Sequence, residues 1–101
     1  MRKRKVILMP DADDDLRQIR EFVSNIYREE AGYNFIKRMF SEITPIGIYA
    51  DIFPVSHFQT ARDIHPEAKT LSIMKHHWTV VFHIDEEFVI VDKILPSSRM
   101  A

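Results

Sequence analysis

Apolar and β-branched residues crowd the last third of the chain, and there they alternate with polar ones. Leu71-Ser72-Ile73-Met74 is followed by a polar bend, Lys75-His76-His77, and then by Trp78-Thr79-Val80-Val81-Phe82-His83-Ile84. After an Asp85-Glu86-Glu87 turn comes Phe88-Val89-Ile90-Val91-Asp92-Lys93-Ile94-Leu95. β-branched and aromatic runs cut at hairpin spacing predict three antiparallel strands. Because side chains alternate sides, Trp78, Val80, Phe82 and Ile84 share one face of the middle strand, and Val81 adds apolar surface to the other. On the last strand, Val89 and Val91 fall on one face, with Ile90 and Ile94 on its other. A sheet apolar on both sides predicts helices over one face and a partner or groove on the other.

The earlier chain supplies the helices. Val6-Ile7-Leu8-Met9, ended by Pro10, reads as a strand behind a basic opening. Pro10-Asp11-Ala12-Asp13-Asp14-Asp15 starts a helix, since proline suits its first position and acidic side chains complement the positive end of its dipole. Leu16, Ile19, Phe22, Val23 and Ile26 recur at spacings of three and four, so the helix runs to Asn25 or Ile26. A second begins near Glu29 with Ala31, Phe35, Ile36, Met39, Phe40 and Ile43 as its apolar stripe, and the two form an antiparallel hairpin. Pro45 and Gly47 interrupt it. Ile46, Ile48, Tyr49, Ile52 and Phe53 predict one further buried helical turn before Pro54. Val55 to Lys69 lacks periodicity and reads as a long irregular loop, and Pro96–Ala101 as a short tail. The sum is an α+β fold in a single domain, residues 1–101: strand, helical hairpin, three-stranded meander.

Composition narrows the class. The 101 residues support one modest core, and the absence of cysteine excludes disulfides and thiolate chemistry. No apolar run approaches membrane-spanning length, and the short apolar run after the basic opening, closed by Pro10, is too short for a secretion signal. A cytoplasmic protein without a membrane partner is expected. The net charge of −1 counts against nucleic acid as the main surface partner, because phosphate neutralisation needs a basic excess.

Candidate chemistry is sparse. The acidic cluster at 11–15 lacks the glycine and distal glutamate of a calcium loop. His76 and His77 are adjacent on a bend without a helical i, i+4 partner, so no metal is expected, nor any cofactor. His83 alternates with Thr79 and Val81, opposite Trp78 and Phe82. It could serve as an acid or base, or simply as a hydrogen-bonded side chain at the sheet surface.

The order of elements, with its local pieces, resembles the RelE/ParE family of bacterial toxins from type II toxin–antitoxin systems. Val6 to Leu16 is similar to that family's strand, proline, alanine, acidic, leucine opening. Ile19-Arg20-Glu21-Phe22-Val23 is similar to the piece that follows, and Phe53-Pro54 to the proline after the second helix. Trp78 to Asp85 resembles its aromatic–aliphatic strand, and Ile94-Leu95-Pro96-Ser97-Ser98-Arg99 its closing strand and arginine tail.

The resemblance implies a cytoplasmic toxin neutralised by a cognate antitoxin, as a homodimer or within a toxin–antitoxin hetero-oligomer. Two modes of action follow from it, beside the alternative of an inactive or interaction-only member of the fold. ParE-like members poison DNA gyrase, and RelE-like members cleave ribosome-bound mRNA. Cleavage would need cations and an acid–base group, for which Arg62, Lys69 and His83 are the candidates. RelE-like toxins resemble one another in an arginine directly after the aromatic that opens the middle strand. Here Thr79 follows Trp78, and Pro96 stands near where a tyrosine or histidine is common. The ParE-like branch, a binding inhibitor without catalytic residues of its own, is therefore favoured. The resemblance puts target contact on the closing strand and tail, at Lys93 and Arg99. Apolar surface for the antitoxin is expected at Val81, Val89 and Val91 and around Tyr49 and Ile52.

Overall fold

A computed structural model describes residues 2–101. Strand β1 (Lys5–Leu8) leads into helix α1 (Pro10–Ile26), with proline at its first turn and Asp11 and Asp13 beside the positive end of its dipole. Helix α2 (Glu29–Ile43) returns antiparallel. A short helix α3 (Ile46–Tyr49) and a 3₁₀ turn (Ala50–Ile52) follow, then α4 (Gln59–Ile64). Strands β2 (Lys69–Ile73), β3 (Trp78–Asp85) and β4 (Phe88–Pro96) form the meander, closed by a 3₁₀ turn at Ser97–Arg99. The sheet order is β1-β4-β3-β2, with β1 parallel to β4 and the other pairs antiparallel.

Helices α1 and α2 blanket one face. Ala12, Leu16 and Ile19 of α1 and Met39 and Ile43 of α2 bury against Val80, Phe82, Val89, Val91 and Ile94. The hairpin closes tightly where Gly32 meets α1: a Cβ there would stand 2.6 Å from the Arg20 carbonyl oxygen and nearer still to Ser24 Oγ. Only glycine lets the two backbones approach so closely.

The alternation expected of the last strand breaks at one point. Val81 pairs with Lys93 and Phe82 with Val91, so Asp92 is an extra residue in β4. That bulge reverses the inside–outside phase, and Ile94 joins Val89 and Val91 in the core, not Ile90 on the opposite face.

The opposite sheet face is also covered, contrary to the expectation of a free side. Residues 55–69 are not wholly irregular. They carry α4, whose Ala61 packs with Ala68 and Val81, flanked by Phe58, Leu95 and Met100. The tail interlocks with it, since Thr60 N donates to the Ala101 carbonyl at 3.2 Å and Ala101 N to Thr60 Oγ1 at 3.3 Å. Val81 is wholly buried under α4, as Val89 and Val91 are under α1 and α2, so the three offer nothing to a partner. The turn after Pro45 is not buried as expected: Ile48, Tyr49 and Ile52 are exposed, because α3 and the 3₁₀ turn present only Ile46, Gly47 and Ala50 inward, and Tyr49 and Ile52 stay open to a partner. Gly47 has β1 against it: its carbonyl accepts from Arg4 N at 2.6 Å.

Candidate target-binding groove

Strand β4 outruns β1. Their pairing stops at Leu8 and Val91, and from Asp92 onward the outer edge of β4 has no neighbouring strand. An acidic side chain from α1 takes its place. Asp15 Oδ2 accepts the Ile94 N–H at 2.9 Å and Oδ1 accepts Lys93 Nζ at 3.1 Å. Asp15 is thus more than a capping acid of the first turn. Asp13 and Asp14 do face out, onto Arg17. But Asp15 sits three residues after buried Ala12 and four before buried Ile19, on the inward stripe. A carboxylate within an apolar stripe was the available signal.

Beyond this contact the α1 face and the end of β4 diverge into an open groove of about 460 Å³. Gln18, Ile19 and Phe22 form one wall; Trp78, Lys93, Pro96 and Arg99 form the other. The two cations assigned to target contact from the sequence therefore line one groove. Among the described residues Arg99 pairs with no carboxylate, whereas Lys93 is held by Asp15. Phe22 leaves 65% of its surface exposed at the groove wall, and the stripe continues through exposed Ile26 and Tyr27 to the hairpin tip.

The three cleavage candidates are arranged differently. Lys69 pairs across β2–β3 with Phe82, on the helix-covered face, and its amine donates to the Phe53 carbonyl. His83 lies on the other face. There its Nδ1 is 2.7 Å from Asp92 Oδ2, and its ring stacks on His65 with centroids 3.7 Å apart. The carboxylate can only accept, so Nδ1 carries the proton. Arg62, on α4, spends its guanidinium on the Ser56 carbonyl at 3.2 Å and Gln59 Oε1 at 2.9 Å. The sheet separates Lys69 from His83. Among the described residues no three His, Asp or Glu side chains are grouped as metal ligands. Away from the groove, Asp51, bonded to Arg4 Nη1 at 2.7 Å, is held below its usual carboxylate value by that contact.

No family model and no curated protein matches the sequence. Among solved structures, a chain of the chromosomal ParDE TA system from P. aeruginosa superposes with a TM-score of 0.77, over 92% of this chain and 95% of that one, at 14% identity. The fold is RelE/ParE-like. Within it, Thr79 follows Trp78 at the start of β3. Its side chain is buried and its hydroxyl meets Ser97 Oγ at 2.9 Å, so no cation stands there. Among the described residues no helix is long and apolar enough to cross a membrane.

Proposed function

We propose that this chain is the toxin of a type II toxin–antitoxin pair, acting by binding in the ParE-like manner, with DNA gyrase as its target. One observation carries the choice between modes: Lys93 and Arg99 share a groove, whereas Lys69 and His83 are divided by the sheet and already bonded within the fold. Acceleration of phosphoryl transfer needs its cations and its acid–base group around one phosphorus. A binding inhibitor needs only a complementary surface with a few anchors. The groove supplies apolar walls in Phe22 and Trp78 and an unpaired guanidinium in Arg99. In this reading no cofactor takes part.

The antitoxin reading is supported by what the hairpin leaves uncovered. Phe22, Ile26, Tyr27 and Tyr33 are large and exposed, a sum of apolar surface that a lone soluble chain rarely carries without a partner. Induced alone in a bacterial host, the chain is expected to arrest growth. Co-expression of a short acidic protein encoded beside it is expected to relieve the arrest, and growth unaffected by induction would defeat the toxin reading.

The alternative, ribosome-dependent mRNA cleavage, has one observation in its favour. Asp92 orients His83 as a carboxylate orients a catalytic imidazole. Cleaved message that vanishes in His83→Ala would establish it in place of gyrase inhibition.

A further inference from the structure

The turn between β2 and β3 is strained and held. Met74, Lys75 and His76 have φ of 53°, 55° and 67°, three successive non-glycine residues in the left-handed region. Three elements lock them there. From α2, Glu42 Oε1 accepts the Met74 N–H at 3.1 Å. From β2, Ser72 Oγ lies 2.9 Å from His76 Nδ1, and from the tail, Ser97 N donates to the His77 carbonyl at 3.0 Å. Backbone strain maintained by its surroundings marks a place where side chains must be aimed.

What the turn aims is a small basic and aromatic hollow of about 300 Å³, lined by Phe35, Arg38, Met74, Lys75, His77 and Trp78. Its floor is apolar, since Met74 is buried and Trp78 half-buried. Its rim is cationic. Among the described residues neither Arg38 nor Lys75 pairs with a carboxylate, and the nearby Glu42 is occupied by the turn itself. His77 Nδ1 is 3.0 Å from the Met74 carbonyl, which can only accept. Nδ1 is therefore the donor, and the neutral ring keeps Nε2 as an acceptor. The hollow shares Trp78 with the groove described above but none of that groove's cations.

We propose that this hollow binds a nucleoside phosphate, with the base stacked on Trp78 and the phosphate between Arg38 and Lys75. An indole lining a hollow beside two cations without an ion-pair partner is the arrangement that recognises a base and its phosphate together. His77 Nε2 accepts from a hydroxyl or amino group of the ligand. The same chemistry is offered by a free nucleotide and by the 5′-phosphorylated end of a single strand. The binding depends on neither mode of toxicity considered above.

Trp78 is the only tryptophan in the chain, so its fluorescence reports on this hollow and on the groove, and the Arg38 and Lys75 variants tell the two apart. The full chain would be titrated with AMP, adenosine, inorganic phosphate and a 5′-phosphorylated single-stranded oligonucleotide, with excitation at the red edge to avoid base absorption. The expectation is saturable quenching by AMP, with adenosine and phosphate each about tenfold or more weaker, as loss of a stacked base or a charged contact implies. Arg38→Gln and Lys75→Gln, both on exposed positions, should each weaken AMP while circular dichroism and Tm stay unchanged. Tighter binding of the oligonucleotide than of AMP assigns a strand end; equal or weaker binding assigns the free nucleotide. No saturable response at millimolar AMP would overturn the proposal. So would quenching by phosphate equal to that by AMP, or AMP binding unaltered in the Arg38→Gln, Lys75→Gln double variant.

Discussion

The ring of His65 lies flat on the ring of His83, with centroids 3.7 Å apart and planes within 5° of parallel. His65 caps the end of α4, and His83 stands on β3 with its Nδ1 bonded to Asp92. The stack therefore pins α4 to the sheet at the point where the β4 bulge delivers a carboxylate. His65→Ala should cost about 1 kcal/mol, the scale of one aromatic pair. Hydrogen exchange should quicken in α4 and around Ala68 but not in α1. Unchanged exchange in α4 would mean that the Ala61–Val81 cluster holds it without help.

Gly32 sets how closely α1 and α2 approach. Gly32→Ala should destabilise by about 1–3 kcal/mol, the usual cost of overpacking, because one of the atoms in the way belongs to the Arg20 backbone and cannot turn aside. A urea midpoint shift at constant slope is the measurement.

Glu86 holds φ 53° in the tight turn between β3 and β4. Glycine meets that conformation without a Cβ clash, so Glu86→Gly should raise stability by about 1 kcal/mol. The Glu86 carbonyl, which accepts from Arg4 Nε at 2.9 Å, is kept by the substitution. A lowered Tm would show that the turn needs its side chain.

Arg4 also joins β1 to the 3₁₀ turn through Asp51, whose carboxyl is held below its usual value of 3.8, first by the Arg4 hydrogen bond. A depressed acid contributes stability above its unfolded value and loses it as pH falls through the folded one. Wild type and Asp51→Asn should thus differ near neutrality and converge once pH drops well below 3.8. The difference is small, because Asp51 is solvent-exposed. Denaturant midpoints across that range test it, and curves that stay parallel in acid would contradict it.

The sequence was legible where one local rule decided the outcome. Proline and acids opened α1, spacing of three and four marked the inward stripes of both long helices, and alternation gave the core face of β3 from Trp78 to Ile84. It was illegible where a single residue changed the phase or where distant segments had to meet. Nothing local announces Asp92 as an extra residue, so Ile94 was assigned to the wrong face. Helix α4 is six residues long, too short for a periodic signal, yet it and the tail cover Val81. Phe22 is exposed because it faces the groove and Ile26 lies beyond it toward the hairpin tip, tertiary placements that a helical stripe alone does not distinguish from core. For the candidate site, the pairing of Lys93 with Asp15 needed the fold, whereas the tail arginine could be named beforehand.

In the proposed function this chain acts by binding through the groove that Lys93 and Arg99 line, not by cutting RNA. Gyrase supercoiling of relaxed plasmid, with purified chain added, tests it most directly. Inhibition is expected, to be weakened by Arg99→Glu at unchanged Tm and unaffected by His83→Ala. Normal supercoiling by gyrase, with ribosome-bound message cleaved in the same preparation, would contradict it.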